Sequence, residues 1–414
     1  MTGSFKGICT WIALLALASV AFSQEGSQPQ VHSRQIVGYF NEEGAESGKY
    51  TIKNIVTSDA ARLLTQLDYA FGRVADNRCQ VLNPEVALRH AYSPTTSVDG
   101  TADPTSASQL RGTFHQLQEL KRQDPKLKVL ISLGGWGQSG GFSSAAQPDH
   151  VREFVRSCVQ TFIAGDFAPG IHEPGIFDGI DLDWEYPVEG GMEPGSPEDK
   201  KNFTALVNEF RRQLNVFRPG LLLTAALPAE EEYYNNFELK EISAKLDFLS
   251  IMAYDLHWNS EPITNFHSAL LHDPRDPSKP PLSKRYGDYA VRGFLKAGVP
   301  PEKIVFGVPF YGKGWRGVRD INHGLFQAAT GPAHSGGSYR ELKALPKTAD
   351  RMFYAKVASC TVWNEGNFWS YDCPRALREK SAYITDHHLG GVMFWELSHD
   401  TPDSELLRVL AGAK

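Results

Sequence analysis

The 414-residue sequence predicts an α/β protein, a (β/α)8 TIM barrel with a small α+β subdomain inserted between strands seven and eight. Three observations lead there. Eight short, near-continuous apolar runs recur along the chain, as strands do when a parallel sheet is buried on both faces. Helical patterns separate most of these runs. Polar and aromatic side chains collect at the carboxyl ends of the runs, which is where barrels of this kind build their sites.

The first strand is expected over residues 35–40, with Tyr39 near its end. Residues 55–68 place Ile55, Leu63, Leu64 and Leu67 on one side and read as a helix. Strand two follows over 67–74 and carries Phe71. Residues 80–106 are rich in Pro, Thr, Ser and Asp and read as a long irregular loop. A helix over 108–122, marked by Leu110, Phe114, Leu117 and Leu120, precedes strand three at 128–136, which ends in glycines and Trp136. Next come a helix near 149–164 and strand four within 177–187. Ser196 is the expected cap of the following helix, with Pro197 in its first position and acids in its first turn. Strand five is expected at 221–228, a helix near 238–245, and strand six at 247–255, closing on Tyr254 and Asp255. A helix at 288–298, strand seven at 304–312, strand eight at 390–397 and a last helix at 403–411 complete the pattern. Residues 313–385 are too long for a helical crossover and read as the inserted subdomain, leaving 24–312 and 386–414 for the barrel.

The fourth run is the chemically loaded one. It carries Asp178, Asp181, Asp183 and Glu185, the last three alternating with Ile180, Leu182, Trp184 and Tyr186. Period-two alternation puts Asp181, Asp183 and Glu185 on one face of a strand. A solvated edge would mix Lys and Thr with acids, whereas this face is acidic throughout. Three stacked acids repel if all ionise, so at least one should hold a proton or a donor near neutral pH. Strain of that kind gathers at active sites. Asp178 is an odd step away and reads as a structural residue at the strand start.

Composition sets the surroundings. The chain is 41% hydrophobic and 22% charged with a net charge of -6, which is ordinary for a folded soluble protein. No clustered basic face suggests a nucleic-acid partner. Lys6, the apolar run 8–22 and the small residues around Ala21 and Ser23 read as a secretory signal peptide over 1–23. That run is shorter than the ~20 residues a membrane span needs, and no later stretch is long enough. The mature chain is therefore expected to be a secreted, extracellular monomer with no membrane partner, starting with a polar leader over 24–34. Four cysteines remain after the signal. Cys360 and Cys373 close the shortest loop and are the expected pair, worth about 3 kcal/mol if unstrained. The pairing of Cys79 with Cys158 is left open. The spacing fits no zinc site, and neither a metal nor a cofactor is expected.

At these residues the sequence resembles glycoside hydrolase family 18, the chitinases. Residues 178–185 match that family's Asp-x-x-Asp-x-Asp-x-Glu signature, Ser132-Leu-Gly-Gly135 its second motif, Met252-Ala-Tyr-Asp255 its sixth-strand motif, and Gly391-Val-Met-Phe-Trp395 its closing strand. Four motifs in order, spread over roughly residues 35–412, make the resemblance specific. It implies a retaining, substrate-assisted hydrolysis of β-1,4-linked N-acetylglucosamine polymers, outside the two-carboxylate scheme. Glu185 would be the general acid and base, kept protonated by like-charge pressure from Asp183 and Asp181. Asp183 would hold the substrate acetamide, whose own oxygen is the nucleophile. Tyr254 would orient that oxygen and Asp255 would bind the distorted sugar. Asp181 would exchange a hydrogen bond with Asp183, supported by Tyr39 and Ser132. Trp395 would floor the cleft, and Trp136 and Trp258 would stack on neighbouring sugars, with Phe71 and Met252 further binding positions. Trp315, Trp363 and Trp369 would either wall the cleft or fill the subdomain. Asn202-Phe-Thr204 is an N-glycosylation sequon. Two other functions share the barrel: a silent chitin-binding lectin, and an endo-β-N-acetylglucosaminidase acting on N-glycans.

Overall fold

Strand β1 (Gln35–Asn41) pairs in parallel with both β2 (Gln66–Ala75) and the last barrel strand, and this double pairing closes the sheet. The computed structural model describes residues 1–4, 34–106, 109–334 and 337–412. From β2 the parallel order continues through β3 (Lys128–Gly134), β4 (Gly179–Asp183), β5 (Leu222–Pro228), β6 (Phe248–Met252), β7 (Ile304–Pro309) and β8 (Gly391–Trp395), which returns to β1. Each strand thus neighbours its predecessor in sequence, the eight-fold barrel that the apolar runs predict. The signal-peptide reading falls, apart from residues 1–4, outside the described residues. Among the described residues no helix is long and apolar enough to cross a membrane.

Alternation along each strand divides the apolar residues between two cores. Val37, Tyr39, Ala70, Ala226, Met252 and Met393 form a small cluster inside the barrel. A much larger layer, including Phe114, Phe154, Phe177, Phe203 and Phe210, lies between the strands and the surrounding helices. On β4, Ile180 and Leu182 belong to this outer layer. Trp184 follows it, buried and stacked on Phe142 at 5.2 Å.

Between β7 and β8 stands a separate antiparallel sheet of five strands, in the order Gly331–Pro332, Gly312–Arg316, Asn367–Tyr371, Ser359–Asn364 and Asp350–Tyr354. Trp315, Val318, Leu325, Val357, Phe368 and Phe266 make its own core. The indole N–H of Trp315 donates to the Glu261 carbonyl and that of Trp363 to the Val318 carbonyl. Trp315 and Trp369 are buried, so these tryptophans fill the subdomain. Helix Pro374–Asp386 then leads into β8. Cys360 pairs with Cys373 at the base of this sheet, and Cys79 pairs with Cys158. The second bridge ties the hairpin strand Arg78–Val81, antiparallel to β2, to helix Val151–Cys158.

The local differences have simple causes. The helix expected over 55–68 is two pieces, Ile52–Thr57 and a 3-10 turn Ala60–Leu63, parted at Asp59 with φ of 62°. Asp is among the few residues that visit this left-handed region readily. Leu64 is already extended, which frees the next residues for β2. The irregular loop after residue 80 contains a helical turn, Glu85–Arg89. Helix Asp199–Phe217 begins three residues after the expected cap, because Asp199 turns back to accept from the backbone N–H of Ser196 at 2.7 Å and from Ser143 Oγ at 2.8 Å.

One fully buried ion pair joins the inserted sheet to the helix before β8. Lys380 Nζ donates to Asp372 and to the Ser268 carbonyl, and Ser268 Oγ donates to Asp372 at 2.9 Å. Replacing Asp372 with Ala strands Lys380 without its counter-charge, a class of change that costs about 3–5 kcal/mol. D372A is therefore expected to lower the denaturant midpoint sharply, and so is D372N, which removes the same counter-charge and one of the two acceptor oxygens.

Candidate active site

The site begins with one level of the barrel. Ser132 on β3, Asp181 on β4 and Thr224 on β5 are in cross-strand register. All three are buried. Asp181 Oδ2 accepts from Tyr39 Oη at 2.8 Å and Ser132 Oγ at 2.7 Å, while Oδ1 accepts from Thr224 Oγ1 at 2.6 Å. Burial pushes the Asp181 carboxyl up, and the three hydroxyls oppose that push. The expected Asp181–Asp183 hydrogen bond is not formed, because three hydroxyls, from Tyr39, Ser132 and Thr224, already occupy Asp181. Below it, Asp68 on β2 is also buried and accepts from Gln66 at 2.8 Å.

Asp183 stands one level higher, 4% exposed, and its Oδ1 has no partner. Burial first, then the charges of Glu185, Asp181 and Asp68, drive it well above the usual carboxylate range. The strand ends there, so Glu185 lies past the regular ladder rather than within it. Ser139 pins this exit: its hydroxyl accepts from the Glu185 N–H at 2.9 Å and donates to the carbonyls of Gly135 and Asp183.

Glu185 is buried, and its carboxyl is pushed up to about 8. Desolvation is the main cause, followed by a hydrogen bond from Tyr186 that opposes it. The charges pressing on it belong to Asp255, Glu230 and Glu193. Asp183 and Glu185 also repel each other, as the stacked acids imply, and these loop acids add to that pressure. Asp255 is the opposite case. Burial raises it, but His267, Lys313 and Tyr311 outweigh burial and hold it below its ordinary value. Tyr311 Oη donates to Asp255 Oδ1 at 2.7 Å, and Lys313 Nζ lies 3.0 Å from Oδ2. One cleft therefore holds an acid kept protonated and an acid kept ionised.

These groups open into a cleft of about 770 Å³ at the carboxyl ends of the strands. Asp183, Glu185, Tyr254, Asp255, Tyr39, Phe71, Trp136, Met252, Trp258 and Trp395 all line it. Asp181 and Ser132 sit beneath the lining. Asp178 is at the other end of the barrel, where its Oδ2 accepts from Lys121 at 2.7 Å and the Val129 N–H at 2.9 Å. Phe71 stacks on Trp395 at 5.6 Å and 14°, while Trp136 packs against Trp258 at 5.4 Å and stays 44% exposed. Lys313 Nζ sits 4.1 Å from the centre of the Trp258 ring. Tyr254 Oη has Met393 Sδ as its partner, at 3.6 Å.

Thr224, Ser139, Glu230, His267, Tyr311, Lys313 and Asp68 were not singled out from sequence. Thr224 carried a usable signal, as the one polar residue inside an apolar strand run. The others sit in loops or look like isolated polar residues. Among the described residues no group of His, Cys, Asp or Glu is arranged to hold a metal ion.

Fold and site together define a (β/α)8 barrel with an acidic, aromatic-walled cleft over a buried column of carboxyls. The family model for glycosyl hydrolases family 18 matches residues 35–400, and the chain belongs to that family. It is 33% identical over 394 residues to Chitinase C of Streptomyces lividans, covering 93% of this chain and 60% of that protein. It is 34% identical over 437 residues to Chitinase A1 of Niallia circulans, covering 94% of this chain and 60% of that one. The chain thus spans about three-fifths of the length of these curated relatives. The catalytic domain of the psychrophilic chitinase B from Arthrobacter TAD20 superposes with a TM-score of 0.85 at 32% identity, over 92% of this chain and 95% of that one.

The hydroxyl cage makes a stability test. Thr224→Val removes one donor from a buried carboxyl, a loss of about 1–3 kcal/mol when the acceptor is left short. The hydroxyl favours the ionised form, so the destabilisation should grow as pH rises through the Asp181 titration and shrink in acid. Denaturant midpoints across that range would read it.

Proposed function

We propose that this chain is a chitinase that hydrolyses β-1,4-linked N-acetylglucosamine polymers with retention, using the substrate's acetamide as nucleophile. The observation that carries this is the pairing of a buried, protonated Glu185 with Asp183, whose Oδ1 lacks any partner in the cleft wall. Asp183 is the group to accept the acetamide N–H, which orients the carbonyl oxygen toward the anomeric carbon. Tyr254 Oη, held only by a weak sulfur contact, is free to donate to that oxygen. As the oxygen bonds to the anomeric carbon, the glycosidic C–O bond breaks and the Glu185 proton moves to the leaving oxygen. The positive charge of the oxazolinium ion rests against Asp183. Water then attacks the same carbon, Glu185 takes its proton, and the acetamide is restored. Asp181 cannot serve as nucleophile because three hydroxyls enclose it. Ionised Asp255 suits hydrogen bonding to the distorted sugar, and Trp395, with Trp136 and Trp258, suits the apolar faces of the pyranose rings.

Two disulfides fit a secreted, extracellular protein. The signal peptide over 1–23, the monomeric state and the absence of nucleic-acid and membrane partners belong to the same proposal. Glu185, Asp183 and Tyr254 all line the cleft, which speaks against the silent lectin, and the inserted sheet supports a chitin cleft over the N-glycan enzyme that shares this chemistry.

Glu185→Gln keeps the shape and removes the proton. It should lower kcat/KM on chitin hexamer by about 10²–10⁴-fold with the melting temperature preserved; wild-type turnover in that variant overturns the assignment. Initial products should carry the β-anomer by NMR, and inversion would refute substrate assistance.

The pH profile follows from Glu185. A carboxyl raised to about 8 stays protonated, and competent to donate, below that pH. The basic limb of kcat/KM is therefore expected near pH 8, several units above an ordinary glutamate. A limb near pH 5 would contradict this geometry.

A further inference from the structure

The chain that follows Glu185 is held in a strained path. Val188 has φ of 72°, a region that β-branched residues avoid. The Glu189 N–H donates to the Pro187 carbonyl at 2.9 Å, so Val188 is the centre of a γ-turn of the rare, strained hand. A strained turn persists only where its surroundings over-determine it. Asp199 supplies that grip. It is fully buried, and its Oδ2 accepts from the N–H of Ser196 at 2.7 Å and of Val188 at 3.4 Å. Its Oδ1 accepts from Ser143 Oγ at 2.8 Å and from Ser196 Oγ at 3.2 Å. One carboxyl thus gathers both ends of the loop 188–196 and fastens them to the segment after β3.

That loop is the wall behind the proton donor. A Cβ on Gly191 would fall 2.0 Å from the Glu185 carbonyl oxygen, so the loop backbone lies directly on the peptide of the acid. Gly195 packs closely on Val188, where a Cβ would fall 2.7 Å from its nitrogen. Gly190 reaches the cleft itself, and Glu193 is one of the charges acting on Glu185. With three glycines the loop has much backbone freedom to lose, and it keeps this path only if tied. We propose that Asp199 is a positioning residue for the reaction: through the Val188 turn it fixes the loop against Glu185, and so sets the placement of the proton donor and keeps water from it. This rests on the chitinase reading and on Glu185 as its acid, while Asp199 itself lies outside the cleft lining. Glu185 is also acted on by Asp183, Glu230 and Asp255, and it acts on the phenols of Tyr186, Tyr254 and Tyr311. Those on other elements stay in place when the loop is released. Release admits water and carries Glu193 away, and both effects return the Glu185 titration toward that of an ordinary carboxyl.

The test reads kcat, KM and the basic limb of kcat/KM on chitin hexamer. Asp199→Ala should lower kcat about 10–100-fold with KM little changed, since a misplaced acid costs the chemical step. Its basic limb should move down by about one pH unit or more from its wild-type place, a shift that lost stability alone would not produce. Asp199→Asn should recover most of both. Its carbonyl oxygen can take the two N–H groups and its amide can donate to the two hydroxyls, which accept as well as they donate. Val188→Gly in the Asp199→Ala background should recover part, because glycine adopts the turn without strain. Where Asp199→Ala does not fold, Ser143→Ala keeps the carboxyl and removes one donor, and its limb should move the same way by a smaller step. A folded Asp199→Ala with the wild-type limb, or, where that variant does not fold, an unmoved limb in Ser143→Ala, overturns the role of Asp199 and leaves the chitinase reading standing. So does an Asp199→Asn enzyme as impaired as Asp199→Ala. A wild type that does not cleave the hexamer, or a Glu185→Gln enzyme with wild-type turnover, overturns the chitinase reading, and the Asp199 proposal with it.

Discussion

The barrel must bury a column of carboxyls without a cation against any of them. Asp68, Asp181, Asp183 and Glu185 are all below a tenth exposed, and none forms an ion pair among the described residues. An isolated carboxylate in such surroundings is too costly to persist, so each position needs its own solution. At Asp181 the solution is three hydroxyls, from β1, β3 and β5. Those donors converge only because the sheet closes and because Ser132, Asp181 and Thr224 share a register. A one-residue slip of β4 would turn both acids into the outer apolar layer. Asp183 and Glu185 have no such cage: burial and mutual repulsion raise both, and at Glu185 the solution is the proton.

The rim follows a different rule. Asp255 is a loop acid that the inserted sheet and its approach keep ionised, through Tyr311, Lys313 and His267. Lys313 simultaneously covers the Trp258 ring, so the first strand of that sheet fixes both a charge and an aromatic wall. Behind it, the His267 N–H donates to Ser370, and the adjacent Ser268 joins the Asp372–Lys380 pair. The insertion is thereby anchored by buried polar bonds that begin at the cleft and end under the helix before β8. Its apolar core alone would leave its angle to the barrel less defined.

Much of this was legible in the chain. Buried parallel strands read as apolar runs, and the acids on β4 stand out because charge is rare at period two inside such runs. The cleft aromatics were legible as strand ends. What could not be read was any residue whose meaning comes from a neighbour distant in sequence. Thr224 is an unremarkable threonine until the register sets it beside Asp181. Glu230 and Lys313 look like surface charges, and only burial and the closed barrel turn them into cleft residues. The helix expected over 55–68 failed for the same kind of reason: its leucines do follow a helical spacing, but Leu67 and its neighbours are needed by the sheet. Tertiary pairing overrode local pattern there.

The exit of β4 at Asp183 ties these strands of argument together. Strict alternation would have kept Glu185 in the ladder with Asp181 and Asp183. The chain instead leaves the sheet under the grip of Ser139, and Glu185 comes to face Glu230, Glu193 and Asp255. Asp183 is thus fixed by the barrel, while Glu185 is tuned by loop acids as well. Loops accept substitution far more readily than a closed sheet does. The same buried column can therefore be carried to a different pH by changing loop acids such as Glu193 and Glu230 while Asp181 and its three hydroxyls stay as they are.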